Sequence, residues 1–462
     1  MIDFATLLQP DKGQPACSLH LVDKGGLEAW LATRPVAVRQ AAAAQGFGGE
    51  AAQLAILPAD KSGWSALVGV GDAAMLGPWC LAKAAEALPE GTYRLDGASP
   101  GPAALGWLLG QYRFDRYKSE PAPKGPRVLL TDEPARIEEE CNLAVATASV
   151  RDLVNIPAQD LGPGELETVV SDLAKTHCAA LSATSGRELR REYPMIFAVG
   201  QAADPSRAPR LIELEWGNPA HPRVAIVGKG VVFDTGGLDI KPASGMRLMK
   251  KDMGGAAHAI ALASLVMKSR LPVRLHLLIP AVENAVSGNA FRPGDVLRSR
   301  KGLTVEIGNT DAEGRLILAD ALTKAVEGGP ELVLDFATLT GAARVALGPD
   351  LPALFANDDR LAADLLSAGD AAGDPLWRMP LWKGYHELFA SDVADFSNAS
   401  ESPFAGAVTA ALFLGKFVPD DLPWAHLDTF AWRASAKPGR PKGGEALGLR
   451  AAFRMLQARY SG

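Results

Sequence analysis

Histidine is scarce in this chain: there are seven in 462 residues, and no two are spaced four apart in an H-E-x-x-H pattern. That excludes the helical zinc-hydrolase motif in which two imidazoles share one helix face. Cysteine is scarcer still. Cys17, Cys80, Cys141 and Cys178 all lie in the first part of the chain, without C-x-x-C spacing. Neither a disulfide framework nor a thiolate zinc site downstream of residue 178 follows from them, and buried reduced thiols are the expectation. Basic residues are not in excess, since the formal net charge is −6. Composition therefore carries no general footprint for nucleic acid. No apolar run approaches the roughly 18 uncharged residues needed to cross a bilayer. Met1-Ile-Asp-Phe lacks the basic and long apolar regions of a secretory signal. The expectation is a soluble, cytoplasmic protein with no membrane or nucleic-acid partner.

What the chain does have is apolar mass, 48% of its residues, ample for packed cores in several domains. In the first third, 51–57 and 64–71 read as buried strands, and 76–88 and 103–109 as helices. Gly69-x-Gly71-x-x-Ala74, with Glu90 downstream, superficially matches a dinucleotide fingerprint. Tight strand-to-helix turns explain those glycines equally well. The stretch 118–127 holds three prolines and reads as a connection or an edge. Residues 137–153 show helical periodicity, with Glu138, Glu139 and Glu140 early and Arg151 late, an order that suits a helix dipole. The division expected is an N-terminal α/β domain at 1–135, a linker helix at 136–157 and a larger domain at 158–462.

In the larger domain Leu211–Trp216 alternates like an exposed or edge strand. The runs 224–227, 274–279 and 332–336 read as buried strands. They alternate with helices at 255–269, 316–326, 361–371 and 407–417, and a last helix at 447–459. The fold class expected is α/β, with a small N-terminal α/β domain and a three-layer α/β/α domain on a mixed sheet.

Chemistry-bearing residues crowd between Val227 and Arg315. Val227-Gly-Lys-Gly-Val-Val-Phe-Asp-Thr-Gly-Gly237 and Asn309-Thr-Asp-Ala-Glu-Gly-Arg-Leu316 bracket Lys241-Pro242 and Met249-Lys-Lys-Asp-Met-Gly-Gly255. Asp234, Asp252, Asp311 and Glu313, with Lys229, Lys241 and Arg315, thus sit in glycine-rich turns beside apolar runs. Convergent carboxylates repel one another unless something positive joins them, and divalent metal ions would do so. Oxygen ligation favours Mn²⁺ or Mg²⁺; Zn²⁺ enters where a nitrogen joins, and Lys229 offers one once deprotonated. His258 and His276 read as satisfied core histidines. Gly228-Lys-Gly230 lacks the rest of a phosphate loop, and Asp311-Ala-Glu-Gly-Arg taken alone reads equally well as an acidic turn capping a helix from Leu316.

Taken together, these blocks closely resemble the leucyl (cytosol) aminopeptidase family of dinuclear metallopeptidases. The octapeptide 309–316 is that family's signature, and Ala281-x-Glu-Asn284, Arg292-Pro-Gly-Asp-Val296 and Ala337-Thr-Leu-Thr-Gly-Ala342 extend the likeness over 150–430. The N-terminal domain matches by size and position, as a macro-like domain. The resemblance implies hydrolysis of the N-terminal residue from peptides with a free amino terminus, through a water activated by two divalent ions, Mn²⁺ or Zn²⁺. It assigns Lys229, Asp234, Asp252 and Glu313 to a tighter metal, and Asp234, Asp311 and Glu313 to an exchangeable one. Lys241 would polarise the carbonyl and steady the oxyanion, and Arg315 would hold a bicarbonate as general base. Met249, Thr338, Leu339 and Gly341 would line the substrate pocket. A homohexamer is implied too, and some relatives have a second, DNA-binding role that nothing basic in this composition supports. Two departures stand out: Thr429-Phe-Ala-Trp-Arg433 where a small Ala-Gly pair is usual, and Gly443-Gly-Glu-Ala-Leu-Gly-Leu-Arg450 near the end. The first puts Phe430 where relatives line the pocket with a small residue, and puts leucine preference in doubt.

Overall fold

A computed structural model describes residues 3–59, 63–120 and 125–461. The connection expected at 118–127 falls partly on 121–124, outside the described residues. The chain forms two compact units, Met1–Ala148 with Ala434–Lys442, and Ser149–Arg433 with Gly443–Gly462. Helix Ile137–Asn155 runs from one into the other. Among the described residues no helix is long and apolar enough to cross a membrane.

The first unit is built on a six-stranded sheet ordered Leu8–Pro10, Arg127–Thr131, Gly91–Leu95, Cys17–Val22, Trp64–Gly69 and Leu54–Pro58 among the described residues. All its pairs are parallel except the last. The helix expected at 76–88 is shortened to Ala82–Ala87, because Gly77-Pro78 holds the preceding residues in turns. No helix therefore opens behind Gly69 and Gly71 to receive a pyrophosphate, and the dinucleotide reading fails. Gly69 is a packing glycine instead: a Cβ there would lie 2.0 Å from the Glu50 carbonyl oxygen. The expectation of buried thiols is also corrected. Only Cys141 is buried; Cys17 and Cys80 are half-buried, and Cys178 is exposed where it ends helix Pro163–His177 at φ +52°.

The second unit carries a nine-stranded mixed sheet among the described residues. Its centre is four parallel strands in the order Trp424–Asp428, Leu332–Ala337, Arg223–Gly228 and Arg274–Asn284. They are buried along almost their whole length, and three of them read as short, largely apolar runs in the sequence. Antiparallel strands flank them, Ala353–Ala356 on one side and Arg210–Trp216 on the other. The strand expected at an edge is not one. Arg210–Trp216 pairs on both sides, with Ala180–Ser185 as its outer neighbour, so its alternation does not mark an edge.

Helices close both faces. Glu313–Glu327 packs with Ala225, Val227, Leu278 and Val333 in one apolar cluster. Gly254–Lys268 packs on the same strands from the other side, and almost all of it is buried. Its approach is backbone to backbone. A Cβ on Gly228 would meet Ala256 Cα at 2.7 Å, and one on Gly255 would meet the Phe336 carbonyl oxygen at 2.2 Å. That close seat fixes the height of Asp252, just ahead of the helix, over the ends of the parallel strands.

Candidate metal centre

The crevice at the carboxyl ends of parallel strands is where an α/β sheet offers loops and helix N-termini to a ligand. Here the chain leaves strand Arg223–Gly228, turns through Lys229, and re-enters the sheet as Gly230–Asp234 beside Val282 and Asn284. The Lys229 amide donates to the Phe336 carbonyl (2.9 Å), and its own carbonyl accepts from Ala256 (2.8 Å). The side chain runs toward the helix Glu313–Glu327: a Cβ on Gly314 would lie 2.5 Å from Lys229 Cε. This is why Gly follows Glu313. The helix begins at Glu313, three residues before the start that apolar periodicity suggests. Glu313 is buried in the first turn, where the helix dipole favours a carboxylate, and the capping residue Ala312 gives no side-chain bond. The reading of Asp311–Arg315 as an exposed capping turn is thereby overturned.

Lys229 Nζ lies 2.7 Å from Asp252 Oδ2 and 2.9 Å from Glu313 Oε1. Lys241 Nζ lies 2.9 Å from Asp234 Oδ2 and pairs with Asp311. Candidate ligand atoms of Asp234, Asp252 and Glu313 all fall within 4.8 Å of one another. Asp234 Oδ1 accepts from the Gly236 amide and from Asn284 Nδ2, both at 2.8 Å, and Asp252 Oδ1 accepts from Thr338 Oγ1 at 2.8 Å. Asp252 Oδ2, Glu313 Oε1 and Asp311 Oδ1 are different. They are buried, and apart from the two ammonium groups no donor among the described residues reaches them. Buried carboxylate oxygens left in that state are costly.

The electrostatics point the same way. Burial, then repulsion from Asp234, pushes Glu313 up to about 8 and Asp311 up to about 6. Burial opposes the charge on Lys229 and Lys241, but the surrounding carboxylates outweigh it and raise both above the usual lysine range. Even with Lys229, Lys241 and Lys251 close by, Glu313 and Asp311 hold their charge poorly, which is the mark of carboxylates crowded without a cation to join them. A donor set of buried carboxylates with unmet oxygens and one amine fits divalent cations.

Arg315 donates from Nη1 to the Asn398 carbonyl (2.6 Å), and its buried Nε has no acceptor among the described residues. Burial lowers its pKa to about 10. With Met249, Thr338, Leu339, Gly341 and Phe430, these residues all line one cleft of about 620 Å³. Phe430 is half-buried and lines that cleft. His258 and His276 lie outside it as satisfied core residues. Leu447 donates to His258 Nε2 (3.0 Å), and His276 meets Glu213 (3.0 Å) and Arg223 (3.0 Å).

The catalytic-domain description of the cytosol aminopeptidase family matches residues 148–453, and the N-terminal domain of the M17 aminopeptidases matches 17–130. The chain belongs to the cytosol aminopeptidase family. It is a peptidase that removes N-terminal residues in a metal-dependent hydrolysis. A probable cytosol aminopeptidase of Syntrophotalea carbinolica is 42% identical over 369 residues, covering 76% of this chain and 73% of the relative. The crystal structure of the Coxiella burnetii cytosol aminopeptidase superposes with a TM-score of 0.92 at 44% identity, covering 98% of this chain and 99% of that one. The bottromycin maturation enzyme BotP in complex with Mn gives 0.86 at 33% identity, covering 96% of this chain and 100% of that one.

Several residues that organise this aminopeptidase site carried no signal in the sequence. Asn398 holds the loop ahead of Glu313 by accepting from the Gly308 and Asn309 amides and donating to the Asn309 and Ala312 carbonyls. Asp428 accepts from the Leu339 and Thr340 amides and from Thr340 Oγ1 (2.6 Å), and so shapes the loop along the cleft. Both act from other parts of the chain. A Thr-Leu-Thr run followed by a distant Asp is the nearest thing to a clue.

Proposed function

We propose that this cleft holds two divalent ions, Mn²⁺ or Zn²⁺, and takes peptides with a free amino terminus. Lys229, Asp234, Asp252 and Glu313 hold the tighter ion; Asp234, Asp311 and Glu313 hold the exchangeable one. The observation that carries this reading is the set of buried carboxylate oxygens met by nothing but lysine. When bound, such a pair supplies Lewis acidity to a carbonyl and lowers the pKa of a water to the neutral range. Lys229 must shed its proton to ligate, which becomes favourable once cations replace its claim on Asp252 and Glu313.

The remaining roles fall to the chain itself. Lys241, half-buried and charged, donates to the substrate carbonyl and steadies the oxyanion that develops there. Arg315 keeps one guanidinium edge on Asn398 and leaves Nε for a small planar oxyanion, and bicarbonate acting as general base suits that place. Met249, Thr338, Leu339, Gly341 and Phe430 bind and orient the substrate's first residue and backbone. The catalytic part is 158–462, joined by the helix at 136–157 to a macro-like domain at 1–135. The protein works in the cytoplasm as a homohexamer. Metal analysis together with hydrolysis of aminoacyl amides before and after chelation tests the centre: full activity in protein stripped of metal would overturn it. Sedimentation of the purified protein tests the assembly, and a monomer would overturn that part alone.

A further inference from the structure

The ring of Phe430 carries two cations that the reaction outlined above leaves without a task. Arg344 Cζ lies 4.8 Å from the ring centroid and Lys251 Nζ lies 5.0 Å from it, both within range of a cation–π contact. All three residues line the same cleft as the carboxylate cluster. Lys251 is only 5% exposed, and its ammonium stands 3.8 Å from Asp252 Oδ1, too far for a hydrogen bond. Arg344 is exposed in the helix Gly341–Leu347, and among the described residues no acceptor meets its guanidinium.

Among the described residues no anion meets Arg344, and the carboxylate of Asp252 stays beyond hydrogen-bond reach of Lys251, so the two cations on this ring form an incomplete site. An anion entering the cleft meets both charges, and the contacts with the ring keep both side chains at the cleft wall. The substrates here are peptides, and the anion a peptide carries is a carboxylate. The planar fork of an arginine matches a carboxylate with two parallel hydrogen bonds. We infer that Arg344 and Lys251, braced on Phe430, select substrates that place a carboxylate beside the scissile bond. That carboxylate belongs either to an acidic first side chain or to the free C-terminus of a dipeptide. Lys251 directly precedes Asp252, and so borders the place where the substrate's amino end would sit. The inference rests on this cleft being the peptide site proposed above.

The test uses the Mn²⁺-loaded enzyme and two matched pairs of substrates. Glutamyl and glutaminyl anilides differ by a carboxylate on the first residue; alanyl-glycine and alanyl-glycinamide differ by one at the C-terminus. We expect kcat/KM to favour the carboxylate member of one pair by about tenfold, as a charge-assisted hydrogen bond in a partly buried site would give. The pair that shows it names the source. Arg344→Met should remove that preference, acting mainly through KM, and Arg344→Glu should reverse it. Arg344 is exposed, so neither change threatens folding. Equal rates within both pairs in the wild type, or a preference that survives both substitutions, would overturn the inference. Because the neutral members are cleaved in that case, the peptidase reading would stand. If the loaded protein cleaves none of the four substrates, nor a leucyl anilide, both readings fall together.

Discussion

Asn284 Nδ2 donates a 2.8 Å hydrogen bond to Asp234 Oδ1, while the other oxygen of that carboxylate meets Lys241 at 2.9 Å. The buried amide thus sets the orientation of Asp234, which the proposed arrangement asks to serve both ions. Groups that orient a ligand from behind typically contribute about 10–100-fold to metal affinity. Asn284→Ala should therefore lower Mn²⁺ affinity by about that factor without abolishing turnover at saturating metal. Calorimetric titration of Mn²⁺ into apo wild type and variant checks it. Equal affinities would mean that the Gly236 amide alone suffices to hold Asp234.

The two lysines of the cluster should separate cleanly by what they lose. Lys241→Ala should keep both ions yet lose about 10²–10³ in kcat, the usual cost of one oxyanion donor. Lys229→Ala should instead lower metal content, since in the proposed arrangement its nitrogen ligates the tighter ion. Among the carboxylates, Asp234→Ala should be worse than Asp311→Ala, because the proposed arrangement has Asp234 serve both ions and Asp311 only one. Metal analysis beside steady-state kinetics reads all four variants. If both lysine variants keep metal and activity alike, these side chains only balance charge.

Phe430 lines the cleft with Lys251 and Arg344 on its ring, and in the proposed arrangement it borders the place of the substrate's first side chain. Phe430→Ala should improve leucyl and phenylalanyl amides relative to alanyl amide. Discrimination by fit in an apolar pocket is worth about 1–3 kcal/mol, so the ratio of kcat/KM values should move by roughly 10–200-fold at most. Neutral amides keep this test separate from any carboxylate effect. An unchanged ratio would mean that the ring supports the two cations and does not touch substrate.

Much of this site was legible in the chain, and the reason is local. Asp234 with Gly236 and Gly237, and Glu313 with Gly314, are short stretches in which the glycine and the acid have one shared cause. Gly236 and Gly237 adopt φ of +86° and +66° in the turn behind Asp234, and Gly314 leaves room for Lys229. Such couplings stay within a few residues and leave a pattern. Asn398 and Asp428 leave none, because they act on loops formed elsewhere in the chain. The start of the helix at Glu313 was missed for another reason. Glu-Gly-Arg has no apolar periodicity, and its burial comes from the ion cluster rather than from a hydrophobic face. Strand Arg210–Trp216 misled through its own alternation: Glu213 and Glu215 look solvent-facing, yet they meet His276, Arg223 and Arg274. Lys251 gave no hint at all, since a second lysine beside Lys250 reads as solvated charge until its burial is seen.

A last expectation concerns pH and lies away from the cleft. His426 and Asp335 sit side by side on neighbouring parallel strands, both buried, with Nδ1 and Oδ1 2.5 Å apart. Trp424 Nε1 donates to the other Asp335 oxygen at 2.7 Å. Burial alone would push the imidazole down, but Asp335 and then Asp428 outweigh it, and its pKa is raised above the ordinary histidine value. A group whose folded pKa exceeds its unfolded one stabilises the fold fully below the unfolded value, about 6.5 for histidine. That contribution is lost as pH rises through the folded pKa. Urea midpoints should thus fall from pH 6.5 toward alkaline pH, and His426→Gln should flatten the fall while lowering the midpoint at pH 6. Comparing slopes between wild type and variant removes the background of other titrating groups. Parallel slopes would show that the imidazole stays neutral beside Asp335, and that the pair contributes a hydrogen bond but no pH-dependent charge.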